Sequence, residues 1–241
     1  MESTKENLYH LDFSSISLPC FILKKGSFLK EERKLLVINF KDKSIYFEKN
    51  GILLPPFCSI IIYEGKLFAN DDILCFSLPD SIFQAKNVNW KNSKIYDGLI
   101  KRNSEDNNFI EKKFLRSTSD SLGIVKLNPN DLWNNYVDGI ASQHFEVKVN
   151  LWFAEQGTHC GIHNEHSFIE IHTQILGLGR MQCFKNKKYN SIYKEIVMAP
   201  GTTTSRAFCN GGHGYKYPYH QYYADTNSIW LVLEYHPLFS Y

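Results

Sequence analysis

The stretch FEVKVNLWF, residues 145–153, alternates apolar and polar side chains along most of its length. One face carries Phe145, Val147, Val149, Leu151 and Phe153, and the other carries Glu146, Lys148 and Asn150. Because successive side chains of a strand point to opposite faces, this pattern predicts a β-strand with one buried face. A chain built around such a strand must supply partner strands and a layer that covers its apolar face.

Short strand-like segments recur through the rest of the chain. In the first ninety residues they read FILKKGSFL, KLLVINF, SIYFEKNG, SIIIYEGKLFA and DILCFSL, separated by turns such as Asn-Gly and Glu-Gly. Residues 168–176 and 228–236 add two further candidates near the C-terminus. Many short strands at regular spacing are typical of a sandwich or barrel, so the sequence predicts a mostly β chain.

A polar and charged region lies between these two groups of strands. It holds a candidate short helix that opens at Asn130 or Asp131, since both residue types are favoured helix N-caps. We therefore expect an N-terminal β-rich domain over residues 1–90, a connecting or lid region over residues 91–143, and a second β unit over residues 144–241.

Composition narrows the classes of protein. The chain has 241 residues and is 43% apolar, which is enough for a sizeable core. A formal net charge of +2 argues against a nucleic-acid binder with a broad basic face. No run of eighteen apolar residues predicts a transmembrane helix, and no apolar segment near the start predicts a secretory signal. Six scattered cysteines favour a reduced, cytoplasmic protein.

The segment GIHNEHSFIEIHTQILGLG, residues 161–179, is unusually rich in ionisable side chains. If residues 168–176 form a strand, His166, Glu170 and His172 share one face, and the opposite face is almost entirely aliphatic. Buried ionisable groups need partners. Imidazoles and carboxylates suit a divalent transition metal such as iron, manganese, nickel, copper or zinc, so the segment is a candidate metal site.

The spacing of these residues resembles the first motif of the cupin superfamily. In that motif a glycine precedes His-x-His, a glutamate follows three or four residues on, and a glycine comes six residues after it. His166-SFI-Glu170-IHTQIL-Gly177 matches the last part, but Asn164 stands where the family usually has a histidine. The first ligand position is therefore open between His163, Asn164 and Glu165.

A later histidine also fits the resemblance. His220 precedes a turn and the last strand candidate, where the second cupin motif supplies one more ligand. Residues 205–219 then form an insertion, with His213 as a loop residue, that we expect to cover a substrate. The resemblance spans residues 145–241. It implies a double-stranded β-helix, or jelly-roll barrel, and a first half that is either a degenerate cupin or a β extension.

The resemblance also implies a metal site and an activity. His166, Glu170 and His220 are the expected ligands, and His163 or His172 completes the shell. The implied protein is a small-molecule enzyme, first of all an iron(II)-dependent oxygenase (a dioxygenase-type oxidoreductase), with Zn, Mn, Ni or Cu as alternatives to Fe(II). Two alternatives are a metal-dependent isomerase or lyase of a small carbonyl or sugar-like substrate, and a non-catalytic barrel that binds a small molecule. Arg180 and Arg206 are candidates to bind a substrate carboxylate.

Partners are predicted only in outline. We expect a small-molecule substrate, no nucleic-acid partner and no membrane partner. The resemblance also leaves a homodimer as an expectation, because barrels of this family commonly pair through N-terminal strands.

Overall fold

The computed structural model describes residues 8–13, 18–31, 34–47, 51–63, 65–78, 94–95, 114–204, 206–212 and 214–238. Strands dominate these ranges, which contain no α-helix and only short 3-10 turns. The prediction of a mostly β chain is therefore confirmed. Within the same ranges, no helix is long and apolar enough to cross a membrane.

The C-terminal half forms two facing sheets. Its strands are Lys94–Ile95 (β10), Phe114–Arg116 (β11), Asp120–Leu127 (β12), Gln143–Ala154 (β13), Ile169–Leu176 (β14), Gly179–Phe184 (β15), Ile192–Met198 (β16), Tyr219–Ala224 (β17) and Ser228–Pro237 (β18). One sheet has the order β10-β11-β13-β18-β14, with β12 also paired to β13, and the other has the order β16-β15-β17. The alternating stretch at residues 145–153 lies within β13.

Isolated bridges complete both sheets. Thr203 bridges to Thr173 beside β14, while His159 and His163 bridge to Tyr223 and His220 beside β17. Eight strand positions thus follow one another along the chain: β13, residues 159–163, β14, β15, β16, the segment at Thr203, β17 and β18. The first pairs with the eighth, the eighth with the third and the third with the sixth. The second pairs with the seventh, the seventh with the fourth and the fourth with the fifth.

This order is that of an eight-stranded jelly roll, the barrel on which cupins are built. The jelly-roll fold that the resemblance implies is therefore confirmed by the strand pairing. β11 and β12 join the large sheet of this barrel, so much of the described part of residues 91–143 belongs to the barrel wall.

In the described part of residues 1–78, nine strands precede this barrel. They are Leu8–Leu11 (β1), Cys20–Leu23 (β2), Phe28–Glu31 (β3), Leu35–Ile38 (β4), Ile45–Phe47 (β5), Ile52–Leu54 (β6), Ser59–Ile62 (β7), Gly65–Phe68 (β8) and Ile73–Ser77 (β9). They pair in the order β1-β2-β9-β4-β7, with β3-β8 and β5-β6 as separate ribbons. From β2 to β9 this is nearly the same succession of pairings as in the C-terminal barrel. The division of the chain at residues 90 and 143 remains a prediction.

The apolar face of the large C-terminal sheet packs against the N-terminal strands. Phe145 and Val147 are fully buried in one core cluster with Leu36 and Ile38. The hydroxyl of Tyr235 on β18 donates a hydrogen bond to the carbonyl oxygen of Phe40 at 2.9 Å. Because strand side chains alternate, the opposite face of this sheet points into the barrel, and that face carries the polar residues.

The predicted short helix differs in position and type. The structure has a 3-10 helix over Pro129–Asp131, and its N-cap is Asn128, whose side chain accepts a hydrogen bond from the backbone N–H of Asn130. Proline is well suited to the first helical position because its missing N–H would have no partner there. The helix therefore opens one or two residues earlier than Asn130 or Asp131.

Candidate metal centre

Four side chains meet inside the C-terminal barrel. His163, His166, Glu170 and His220 each present one ligand atom, and these atoms all lie within 4.8 Å of one another. The three imidazole centroids are 4.5 Å, 4.9 Å and 5.1 Å apart. Among the predicted residues, the structure therefore brings together three from residues 161–179, namely His163, His166 and Glu170, with the distant His220.

Backbone pairing explains how His163 reaches the group. The N–H of His163 donates to the carbonyl oxygen of His220 at 3.0 Å, and the N–H of His220 donates back at 2.8 Å. This bridge sets the two histidines directly opposite each other on neighbouring strand positions. Of the two ionisable candidates for the first ligand position, His163 lies in the group and Glu165 does not.

Hydrogen bonds at Nδ1 orient the imidazole rings of His163 and His220 so that Nε2 of each ring faces the other ligand atoms. The Nδ1 of His163 lies 2.8 Å from the carbonyl oxygen of Gly161, and the Nδ1 of His220 lies 2.9 Å from that of Pro218. A carbonyl oxygen only accepts, so each Nδ1 carries the proton and each Nε2 keeps a lone pair. Metal-ligating histidines are typically held in this way.

Glu170 lies at the middle of the group. Its Oε1 is 3.3 Å from the Nε2 of His220 and 3.4 Å from the Nε2 of His166, and its side chain is 7% exposed. Burial alone would raise the pKa of this carboxyl group, but His172, His220 and His166 around it hold the pKa well below its ordinary value. Glu170 is therefore a carboxylate, the form that binds a cation.

Burial favours the neutral form of three of these histidines. Burial lowers the pKa of His166 to about 4, although Glu170 beside it acts in the opposite direction. Burial also lowers the pKa values of His163 and His172. The Nε2 of His166 is buried and has no hydrogen-bond partner among the described residues. A buried lone pair without a partner is costly in a soluble protein, and a bound cation would relieve that cost.

His172 stands beside this group rather than within it. Its Nε2 lies 3.8 Å from the Oε1 of Glu170, and the side chain is 7% exposed. It shares the inward face of β14 with Glu170, as the strand alternation predicts, but it is not among the four residues whose ligand atoms converge. The structure thus favours His163 over His172 as the residue that completes the set.

Aromatic residues from residues 206–219 close one side of the group. The backbone N–H of Glu170 donates to the hydroxyl of Tyr217 at 3.0 Å, and that hydroxyl donates to the carbonyl oxygen of Phe168 at 3.1 Å. The Tyr217 ring lies 4.5 Å from that of His166, centroid to centroid. The ring of Phe208 stacks at 6.3 Å from that of His220. Ser205 and His213 of the predicted insertion lie outside the described residues.

The other side of the group opens into a cavity of about 560 Å³. His163, His166, Glu170 and His220 form part of its wall, and His172 and Glu165 also line it. The remaining wall includes four residues that the motifs did not indicate: Arg116, Trp152, Trp230 and Glu234. Only Glu234 carries a visible signal in the sequence, because it is a charged residue in the middle of an otherwise apolar strand.

The two arginines proposed from the sequence do not line this cavity. Arg180 pairs with Asp225 at 2.7 Å and with Glu195 at 3.0 Å, and its guanidinium is largely solvated. Arg206 donates to the carbonyl oxygen of Trp133 at 3.0 Å. The arginine that does reach the cavity is Arg116, at the end of a three-residue strand.

Three imidazoles and one carboxylate are a suitable ligand set for a divalent transition metal. An ion held by these four residues would be bounded by Tyr217 and Phe208 on one side. The cavity on the other side would supply the open coordination positions. These four residues therefore form a group that resembles a metal site. Their donor atoms alone do not distinguish iron from manganese, zinc, nickel or copper.

Comparisons with known proteins give matches in structure only. No protein-family model matches the chain, and no curated protein matches it. A cupin 2 conserved barrel domain protein from Leptotrichia buccalis is 12% identical, with 98% of this chain and 92% of that chain covered, at a TM-score of 0.31. A mutant of oxalate decarboxylase from Bacillus subtilis is 11% identical, with 96% and 73% covered, at a TM-score of 0.31.

An oxalate oxidase in complex with glycolate is 15% identical, with 49% of this chain and 51% of that chain covered, at a TM-score of 0.27. At such identities and TM-scores, the substrate and the metal of this chain must be argued from its own residues.

Proposed function

We propose that this chain is a metal-dependent enzyme acting on a small molecule, and that iron(II)-dependent oxygenation is its activity. The observation that supports this most is the convergence of His163, His166, Glu170 and His220 on one wall of a 560 Å³ cavity. Four protein ligands on one side of an ion would leave further positions open towards that cavity.

The chain's own residues prepare the site for this role. The hydrogen bonds to Gly161 and Pro218 hold two imidazoles with their lone pairs inward. The Tyr217 hydroxyl holds the start of β14 and therefore the position of Glu170. Iron(II) bound here would supply redox chemistry with dioxygen, whereas a redox-inert ion would supply Lewis acidity. The buried wall around the site would keep bulk water away from the substrate.

A metal-dependent isomerase or lyase is the second candidate, and one observation favours it. Glu234 is a carboxyl group that lines the same cavity and lies outside the four-residue group. Isomerisation and elimination need a group that moves a proton beside the metal. An oxygenase does not require such a group in every case. Glu234→Gln would therefore abolish turnover in an isomerase or lyase and reduce it less in an oxygenase.

Oxygen consumption tests the proposal. Protein loaded anaerobically with Fe(II) is mixed with aerated buffer and a panel of small-molecule substrates, and the uptake of dioxygen is recorded. We expect substrate-dependent uptake that Glu170→Gln lowers by at least about a hundredfold, since that change removes the anionic ligand. Glu195→Gln, outside the cavity, is the matched control.

Two results would contradict the oxygenase. Turnover that proceeds equally with Zn(II) and without dioxygen would indicate the isomerase or lyase. Stoichiometric binding of a small molecule without turnover under any metal would indicate a non-catalytic binding barrel.

A further inference from the structure

A second charged cluster lies in the cavity, apart from the metal ligands. The Nη2 of Arg116 donates to the Oε1 of Glu234 at 2.8 Å, and the guanidinium carbon lies 5.3 Å from the centroid of the Trp152 ring. The Arg116 side chain is 31% exposed. Among the described lining residues it is the one that carries a permanent positive charge.

Glu234 orients this arginine and is itself held by two further protein groups. Its Oε1 also accepts from the Nδ2 of Asn150 at 2.7 Å, and its Oε2 lies 3.0 Å from the Nε2 of His236. Three protein groups therefore hold a carboxylate that is 7% exposed. By contrast, the five N–H groups of Arg116 make one hydrogen bond to the described residues, the one from Nη2 to Glu234.

The wall beside Arg116 is aromatic. The rings of Trp152 and Trp230 are stacked, with centroids 6.0 Å apart and an interplanar angle of 8°. The ring of Tyr222 stacks on that of Trp230, with centroids 3.5 Å apart and an interplanar angle of 21°. Flat apolar walls of this kind suit a planar or apolar ligand body.

We propose that Arg116 binds a carboxylate of the substrate, and that the substrate is a small carboxylic acid with a planar apolar body. The carboxylate pairs with the guanidinium, and the body packs along Trp152. The far end then faces the group formed by His163, His166, Glu170 and His220. This inference rests on the proposed function in one respect, namely that the cavity is where the substrate lies, and it names the class of that substrate.

The charged residues of the cavity wall determine which end of such a ligand lies at Arg116. Glu165, Glu170 and Glu234 also line the wall, and like charges repel a carboxylate strongly where water is excluded. Arg116 is held by Glu234 and Trp152, so little side-chain freedom is lost when an anion binds it. A neutral amide of the same shape would fill the same space without the charge-assisted hydrogen bonds.

Binding of benzoate and benzamide tests this directly. Calorimetric titration is carried out on protein stripped of metal with a chelator, so that neither turnover nor a bound ion contributes to the signal. We expect benzoate to bind about tenfold to a hundredfold more tightly than benzamide, as for loss of a charge-assisted hydrogen bond. In Arg116→Gln the two ligands should bind equally, and Arg116→Lys should restore part of the preference.

Arg180→Gln, which removes a guanidinium outside the cavity, is the matched control and should keep the full preference. Circular dichroism of each variant verifies that it is folded. Benzoate that fails to bind the wild-type protein, or binds it no better than benzamide, would overturn the inference. So would a preference that survives in folded Arg116→Gln. Since no metal is present, loss of the proposed metal activity would leave this result unchanged, and the two failures are distinguishable.

Discussion

Individual side chains of the cavity combine deep burial with a protonation state suited to a cation. His166 is the clearest case, because burial lowers its pKa from 6.5 to about 4. A folded protein that keeps a histidine neutral gives up the proton that the unfolded chain would bind. Keeping His166 neutral therefore lowers the free energy of unfolding of the metal-free protein at acidic pH.

That effect predicts a pH dependence of stability. Between about pH 6.5 and pH 4 the unfolded chain binds a proton at His166 and the folded chain does not, so the free energy of unfolding falls as the pH falls. The contribution of this one residue reaches roughly 3 kcal/mol. Urea denaturation of metal-free protein across this range should show a shallower slope in His166→Gln than in wild type. An equal slope in both, with exposed His144→Gln as the control, would contradict the account.

Sequence reasoning identified the site residues that share one local element. His166, Glu170 and His172 follow the period of a strand, so their common face was predictable. Whether His163 is a ligand could not be predicted, because its position depends on an isolated β-bridge to His220, fifty-seven positions away in the chain. Arg116 was missed because a three-residue strand leaves too little pattern to show which side chain points inward.

At the scale of elements, the turn between β14 and β15 is tightly constrained. Gly177 has a φ of +74°, and a Cβ added there would press on the carbonyl oxygen of Asn227 and on Ser228. At Gly179 an added Cβ would collide with the Tyr222 ring, whose hydroxyl donates to Gln174 at 2.9 Å. The glycines that the cupin resemblance singled out thus let the hairpin lie against β17 and the start of β18.

We predict that Gly177→Ala destabilises the fold more than Gly139→Ala does. Gly139 also has a positive φ, of +72°, but a Cβ there would meet nothing within 4 Å. Both substitutions carry the backbone cost of a left-handed residue, and only the first adds a steric clash. The difference should be about 1–3 kcal/mol in the free energy of unfolding measured with urea. Equal losses in the two variants would show that the turn tolerates the side chain.

Strands with a clear pattern of their own were predictable from the sequence. β13 was predicted from its alternation of apolar and polar residues, and β18 from a nearly continuous run of apolar, β-favouring residues. The strand positions at residues 159–163 and at Thr203 make single bridges only, so their pairing depends on neighbours rather than on their own sequence. β12 lay in the region assigned to a connection because its apolar and polar residues alternate imperfectly.

At the scale of the whole molecule, the two sets of strands share one core. Residues from both halves, such as Phe76 and Leu78 in the first and Phe145 and Leu233 in the second, belong to a single buried cluster. Ser59 of β7 donates to the carbonyl oxygen of Gly201 at 2.6 Å, so polar contacts also cross between the halves. A core shared in this way couples the unfolding of one half to that of the other.

We therefore expect one cooperative unfolding transition. Far-ultraviolet circular dichroism reports the strands of both halves. In a Trp90→Phe background, tryptophan fluorescence comes from Trp133, Trp152 and Trp230 and reports the C-terminal half. The two urea curves should coincide in midpoint and slope. Tyr235→Phe removes the donor to Phe40 and should shift both curves together, by about 1 kcal/mol. Curves that separate would show that the halves unfold independently.

We expect His163, His166, Glu170 and His220 to hold one divalent metal ion. Metal content measured by mass spectrometry after anaerobic loading with Fe(II) and removal of unbound ion tests it most directly. We predict about one equivalent of iron in wild type and in the surface variant His144→Ala, and a loss of most of it in His166→Ala and His220→Ala. Wild-type protein that retains no stoichiometric metal, or folded variants that retain as much as wild type, would contradict it.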